Sequence, residues 1–210
     1  GNGVTVCIVD SGIMPEHVDI EDAEIVMWKD FVQNRAKPYD DHGHGTSMAG
    51  ILIADGWMKG IAPKVNLLVA KALSEDGTGD DGVVAEAIDW CVTNGADIIS
   101  LSLGGAPDIL PLNIGSGRGS DDASADAIDQ GVFVIAAAGN DGGDEDDGDV
   151  SSPCSERLVI CVGGVKQNGE HWSGSSTGDN NGRAFPFMLP RADPHQKPEL
   201  VAPAQKVPVI

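Results

Sequence analysis

The feature that most constrains this chain is a recurrence of short, nearly continuous apolar runs. They are Val4–Val9, Glu24–Trp28, Val65–Ala70, Asp97–Leu103, Val132–Ala138 and Leu158–Val165. Runs of this length and β-branched content, without polar alternation, suit strands covered on both faces. Helical patterns lie between several of them. Val83, Val84, Ala87, Ile88, Cys91 and Val92 recur at helical spacing, and Gly95 follows as a stop. Ser120 ahead of Asp121 and Asp122 reads as an N-cap with an acidic first turn, for a helix reaching about Gln130 and ended by Gly131. Strands alternating with helices predict an α/β fold, a doubly wound and mostly parallel sheet with helices on both faces. The 210 residues are enough for one domain with a sizeable core. Ser74–Gly82, Ala106–Gly119 and Asn140–Ser152 read as loops, and Asn168–Pro198 as a long irregular insertion or functional loop.

Doubly wound sheets bind ligands outside the carboxyl ends of their strands. The run Val4–Val9 ends there on Asp10, and Val132–Ala138 leads through Gly139 to Asn140. A loop, Asp41-His42-Gly43-His44-Gly45-Thr46, delivers imidazoles to the start of a helix. A carboxylate desolvated at a strand end needs a partner, and an imidazole can be that partner while its other nitrogen works as a base. Taken singly, Asp10-Ser11-Gly12 is an ordinary turn and either histidine is a weak signal.

Together, these segments resemble the subtilisin-like serine peptidases (subtilases), in which the triad runs Asp, His, Ser along the chain. The family pattern His-Gly-Thr-x-x-Ala-Gly matches His44–Gly50 and selects His44 over His42; Ser47 stands where many members carry a second histidine. The resemblance implies Asp10 as orienter, His44 as general base and Asn140 as oxyanion donor. Ala138 and Gly139 would lie beside the substrate. Ser102-Leu103-Gly104-Gly105 and Gly77-Thr78-Gly79 resemble the two segments that flank a bound peptide in the family. Asp81 falls where many members carry an aromatic in a pocket upstream of the cut, which would favour a polar or basic substrate residue. Ser175–Gly178, Asn181–Arg183 and Lys197–Pro203 resemble the run that leads to the nucleophile, with Ala184–Gln196 inserted. The Gly-Thr-Ser-x-Ala helix start is expected beyond Ile210. The chain is therefore expected to be most of a serine endopeptidase domain, acting on peptides or proteins and accompanied by a pro-segment and a C-terminal continuation. The alternative is a non-catalytic peptide-binding relative. Gly174-Ser175-Ser176-Thr177-Gly178 also fits the Gly-x-Ser-x-Gly elbow of α/β-hydrolases, but polar loop flanks it on both sides, and Asp193 and His195 follow too closely.

Thirteen basic residues against 33 acidic ones give a net charge of −20. Such a surface repels nucleic acid and anionic membranes and suits secretion, a calcium-rich setting or high salt. The acidic loop 141–149 offers Asp144, Asp146 and Asp149 as candidate ligands for a structural calcium ion, although it lacks the EF-hand pattern. No organic cofactor is indicated. Four cysteines allow three full pairings, among which sequence does not choose. Cys154 and Cys161 are close enough in sequence to pair, and a disulfide there implies an oxidising compartment. Cys7, mid-strand, and Cys91, on an apolar helix face, read as buried small hydrophobes.

Overall fold

The computed structural model describes residues 1–105, 118–143, 149–178, 191–192 and 195–210. In chain order these form β1 (Thr5–Asp10), β2 (Ile25–Asp30), α1 (His44–Ile53), β3 (Asn66–Lys71), α2 (Asp81–Thr93), β4 (Ile98–Leu101), α3 (Ser120–Asp129), β5 (Phe133–Ala137), β6 (Ile160–Val165) and β7 (Leu200–Pro203). All seven strands join one sheet in the order β2-β3-β1-β4-β5-β6-β7. Every neighbouring pair is parallel. The expected α/β doubly wound sheet is the fold observed.

The apolar runs are continuous because each strand feeds two cores. Alternate residues of a strand point to opposite faces. On β1, Cys7 and Val9 join α2 and α3 through Val84, Ile88, Ala123 and Ala127. Val6 and Ile8 face the other way and pack with Ala49 and Ile53 of α1. On β3, Leu68 and Ala70 belong to the first core, Leu67 and Val69 to the second. Each large aliphatic side chain so buried contributes about 1.5–3 kcal/mol relative to exposure.

Three local expectations change. Ser120 is the first helical residue of α3, and Gly119 occupies the cap position. The carboxylate of Asp81, from α2, takes over the capping and accepts the Ser120 N–H at 3.2 Å. Cys7 and Cys91 are buried, but they are bonded to each other, tying β1 to α2 across the first core. Cys154 and Cys161 form the second disulfide, so all four cysteines are paired. Finally, β7 escapes sequence patterning because all four of its residues are exposed at the sheet edge. Its register on β6, from Val162↔Leu200 to Val165↔Pro203, is what makes it a strand.

Candidate active site

Asp10 is the last residue of β1 and is wholly buried. By strand alternation it follows Val6 and Ile8 on the face that α1 covers. His44 is the first residue of α1. Its Nδ1 lies 2.8 Å from Asp10 Oδ1 and 3.0 Å from Oδ2. A buried carboxylate as acceptor fixes the tautomer with hydrogen on Nδ1 and leaves Nε2 to face outward. The Ser11 N–H donates to Asp10 Oδ1 at 2.7 Å as well. The hydrogen bond that His44 donates to Asp10 raises the His44 pKa above its ordinary 6.5, against an opposing push from partial burial. Among the described residues His42 has no contact of this kind; its ring stands edge-on to that of His44, with centroids 6.2 Å apart.

Asp40 holds the loop that delivers His44. Its Oδ1 accepts from Ser11 Oγ, His42 N–H and Gly43 N–H, at 2.9, 3.1 and 2.8 Å. Its Oδ2 accepts from the Thr46 N–H and hydroxyl, at 2.8 and 2.6 Å. Burial pushes this carboxyl up, but the Thr46 hydroxyl and the surrounding N–H groups outweigh it and bring the pKa down to about 2. Ser11 relays the anchor, since its hydroxyl also accepts the Gly45 N–H at 2.9 Å. The turn after β1 and the start of α1 meet so closely that a Cβ on Gly45 would lie 2.2 Å from the Gly12 carbonyl oxygen. Glycine there lets the two backbones close on each other. Sequence reasoning missed Asp40; the signal was an Asp three residues before a Gly-His helix start.

Lys71 was missed too. It ends β3, in register with Asp10, and is fully buried. Its Nζ donates to the carbonyls of Ser11 (2.5 Å) and Leu73 (2.8 Å) and to Asp41 Oδ1 (2.6 Å).

Beside His44 opens a cavity of about 480 Å³. Gly77, Thr78 and Gly79 line one side, with Ser102, Leu103, Gly104 and Gly105 among its other lining residues. Gly79, Leu103 and Gly104 spend no main-chain donor or acceptor on other described residues. Gly105 differs: it exchanges both main-chain bonds with Ser152, at 3.1 and 3.0 Å. Among the described residues, Asp76 and Asp81 are the acidic members of the lining, which includes no Lys or Arg. The Ser74 hydroxyl, then the hydroxyl and N–H of Thr78, hold the Asp76 pKa down at about 2.

A bonded Asp–His pair at the carboxyl edge of a parallel sheet, beside an open cleft, is the arrangement expected of the resembled peptidases. A family model described as the subtilase family (Peptidase_S8) matches residues 1–209. The chain belongs to the subtilase family. It is similar to serine protease AprX of Bacillus subtilis (strain 168), 33% identical over 99% of this chain and 47% of that protein. It is also similar to subtilisin DY of Bacillus licheniformis, 34% identical over 85% of this chain and 62% of that one. A crystal structure of a cold adapted subtilisin-like serine proteinase superposes with a TM-score of 0.72 at 28% identity, covering 96% of this chain and 63% of that one. The chain thus spans roughly half to under two thirds of the length of these relatives.

In this subtilase, Asn140 stands exposed just beyond β5, at the same sheet edge as Asp10, but it does not line the cavity beside His44. Neither do Ala138 and Gly139. Ala138 uses its N–H on Val162 and its carbonyl on Ser151, at 2.9 and 2.8 Å, so its backbone is already engaged. A Cβ on Gly139 would meet Ser151 Oγ at 2.3 Å and Ser176 Oγ at 2.7 Å, so the close approach at this glycine is to the protein itself. The hydrolase-elbow alternative fails on geometry. Ser176 is buried in irregular chain, where its hydroxyl accepts the Asp141 N–H at 3.0 Å.

Of the candidate calcium ligands, Asp149 is the one described. Asp149 is buried against Arg191, whose guanidinium donates to both carboxylate oxygens at 2.7 and 2.9 Å. A fixed cation already satisfies the charge that a metal would neutralise. Asp144 and Asp146 lie outside the described residues. Among the described residues, no group of three His, Cys, Asp or Glu is placed to hold a metal ion.

Proposed function

We propose that this chain supplies the general base and most of the substrate cleft of a subtilase serine endopeptidase. The observation that carries the reading is the buried Asp10 bonded to His44 at the mouth of the cleft. A serine that follows residue 210 acts as nucleophile. Its hydroxyl oxygen attacks the scissile carbonyl carbon while its proton passes to His44 Nε2, and Asp10 stabilises the imidazolium that results. The tetrahedral oxyanion draws on the exposed amide of Asn140. His44 then gives the proton to the leaving amine, and water, deprotonated in turn by His44, releases the acyl group.

The substrate lies extended, pairing its main chain with Gly79 on one side and with Leu103 and Gly104 on the other. Leu73 and Val84 offer apolar contact within the cavity, and Asp81 sets a negative charge in its lining. This supports a preference for a basic residue several positions upstream of the cut. Two disulfides with no free thiol support an oxidising, extracytoplasmic setting.

The test uses the full-length protein and a peptide library. Cleavage should vanish in His44→Ala, persist in His42→Ala, and lose its upstream Arg or Lys preference in Asp81→Leu. Cleavage that survives His44→Ala would refute the assignment of the base.

A further inference from the structure

Strand alternation does more here than aim Asp10 at α1. Lys71 continues the series Leu67, Val69 on β3 and therefore shares the face of Asp10, its register partner on the adjacent strand. Neighbouring strands lie about 4.8 Å apart, which sets the backbone of a buried lysine beside that of a buried aspartate. Yet Lys71 takes none of the Asp10 oxygens. Its hydrogens go to Ser11 O, Leu73 O and Asp41 Oδ1. Both Asp10 oxygens stay available to His44 and to the Ser11 N–H.

Those acceptors belong to separate parts of the site. Ser11 follows Asp10, Leu73 leads into the Gly77–Gly79 wall of the cleft, and Asp41 belongs to the loop that carries His44. We propose that Lys71 is a positioning residue for the Asp10–His44 pair: one buried ammonium group joins the carboxylate's strand, the imidazole's loop and the cleft wall, and its charge, balanced by Asp41, sets the proton affinity of His44.

The charged and titratable groups around this point bear on the sign. Around Lys71 stand Asp41, Asp10 and the Tyr39 ring, whose centroid is 4.9 Å from Nζ. Tyr39 is neutral, its pKa pushed up to about 12 by burial and then by its bond to Asp30, and Arg35 stacks on its ring at 4.2 Å. Around His44 stand Asp10, Asp40 and His42, with Asp76 and Asp81 in the lining of the cleft. Removing a positive charge near an imidazole raises its pKa, and removing a negative charge lowers it. The two members of the Lys71–Asp41 pair must therefore push His44 in opposite directions. A lysine that merely fills space and ties loops would not produce this opposition.

The inference rests on Asp10 and His44 being the working pair, so its readout is kept apart from catalysis. The experiment is an NMR titration of the His44 ring in the full-length protein without substrate, in the wild type, Lys71→Met, Lys71→Arg and Asp41→Asn. The His44 midpoint should rise in Lys71→Met and fall in Asp41→Asn, each by roughly half a pH unit or more. Lys71→Arg, which keeps the charge, should stay near the wild type. The acid limb of kcat/KM should move with the midpoints. Midpoints that stay fixed, or that move the same way in Lys71→Met and Asp41→Asn, overturn the proposal. If Lys71→Met does not fold, Asp41→Asn decides alone: an unmoved or raised midpoint overturns the proposal. Absent peptidase activity in a wild type with the expected midpoint shifts would count against the proposed function and not against this coupling.

Discussion

Replacing Asp40 tests how the structure holds the loop that carries His44. Five donors converge on this carboxylate from Ser11, His42, Gly43 and Thr46. A pKa drop from 3.8 to about 2 corresponds to about 2.4 kcal/mol in favour of the ionised form in the native state. The carboxyl is only partly buried, so solvent screening reduces this to about 1–1.5 kcal/mol. Asp40→Asn, which keeps one acceptor oxygen but loses the charge, should lower stability by about that amount near pH 6. Asp40→Ala also loses the neutral acceptor and should cost about 2 kcal/mol. The sign with pH follows from the depressed pKa. The contribution is complete above the unfolded value near 3.8 and is lost as pH falls toward about 2. The Asn-variant deficit should therefore shrink to roughly half by pH 3. Urea unfolding of wild type and both variants at pH 6 and pH 3 measures it. An equal deficit at the two pH values would show that Asp40 acts through packing and not through its charge, and the account of the loop would be wrong.

Other outcomes follow from the same contacts. Asp10→Asn should cut kcat by roughly 10³–10⁴-fold, because the amide no longer favours hydrogen on Nδ1; it should also lower the His44 ring midpoint, and a raised midpoint would contradict the assigned bond. In the wild type, the acid limb of kcat/KM should lie above pH 6.5, since activity needs neutral His44 and Asp10 raises its pKa; a limb well below 6.5 would exclude His44 as the base. Asn140→Ala should lower kcat by roughly 10²–10³-fold, a magnitude established on subtilisin itself and carried over through family membership; an effect confined to KM would remove Asn140 from the oxyanion. Replacing Cys7 and Cys91 together by Ala should cost about 2–4 kcal/mol in urea melts, because their bridge closes a loop with a sequence separation of 84; an unchanged midpoint would mean the bridge is absent in solution.

The parallel sheet and the Asp10–His44 pair were legible in the sequence because both are written locally. A strand packed on both faces must be apolar at nearly every position, so Val4–Val9 announces itself. The motif at His44–Gly50 needs consecutive residues whose spacing survives in one dimension. That Asp10 needs a partner follows from its place at the end of an apolar strand, whereas the choice of His44 as that partner came from the family pattern. β7 was not legible, because an edge strand with four exposed residues has no burial pattern and exists only through its pairing with β6. The Cys7–Cys91 bond depended on which face of β1 meets α2, a fact of layer packing that cysteine spacing does not contain. Asp40, Lys71 and Arg191 gain their roles from partners that folding brings to them across long stretches of chain: Ser11 for Asp40, Ser11 and Asp41 for Lys71, Asp149 for Arg191. Hydrophobic periodicity determines where an element forms. Which buried charge meets which is decided only when strands and loops distant in sequence converge, since desolvation leaves a charge stable only beside the group that compensates it.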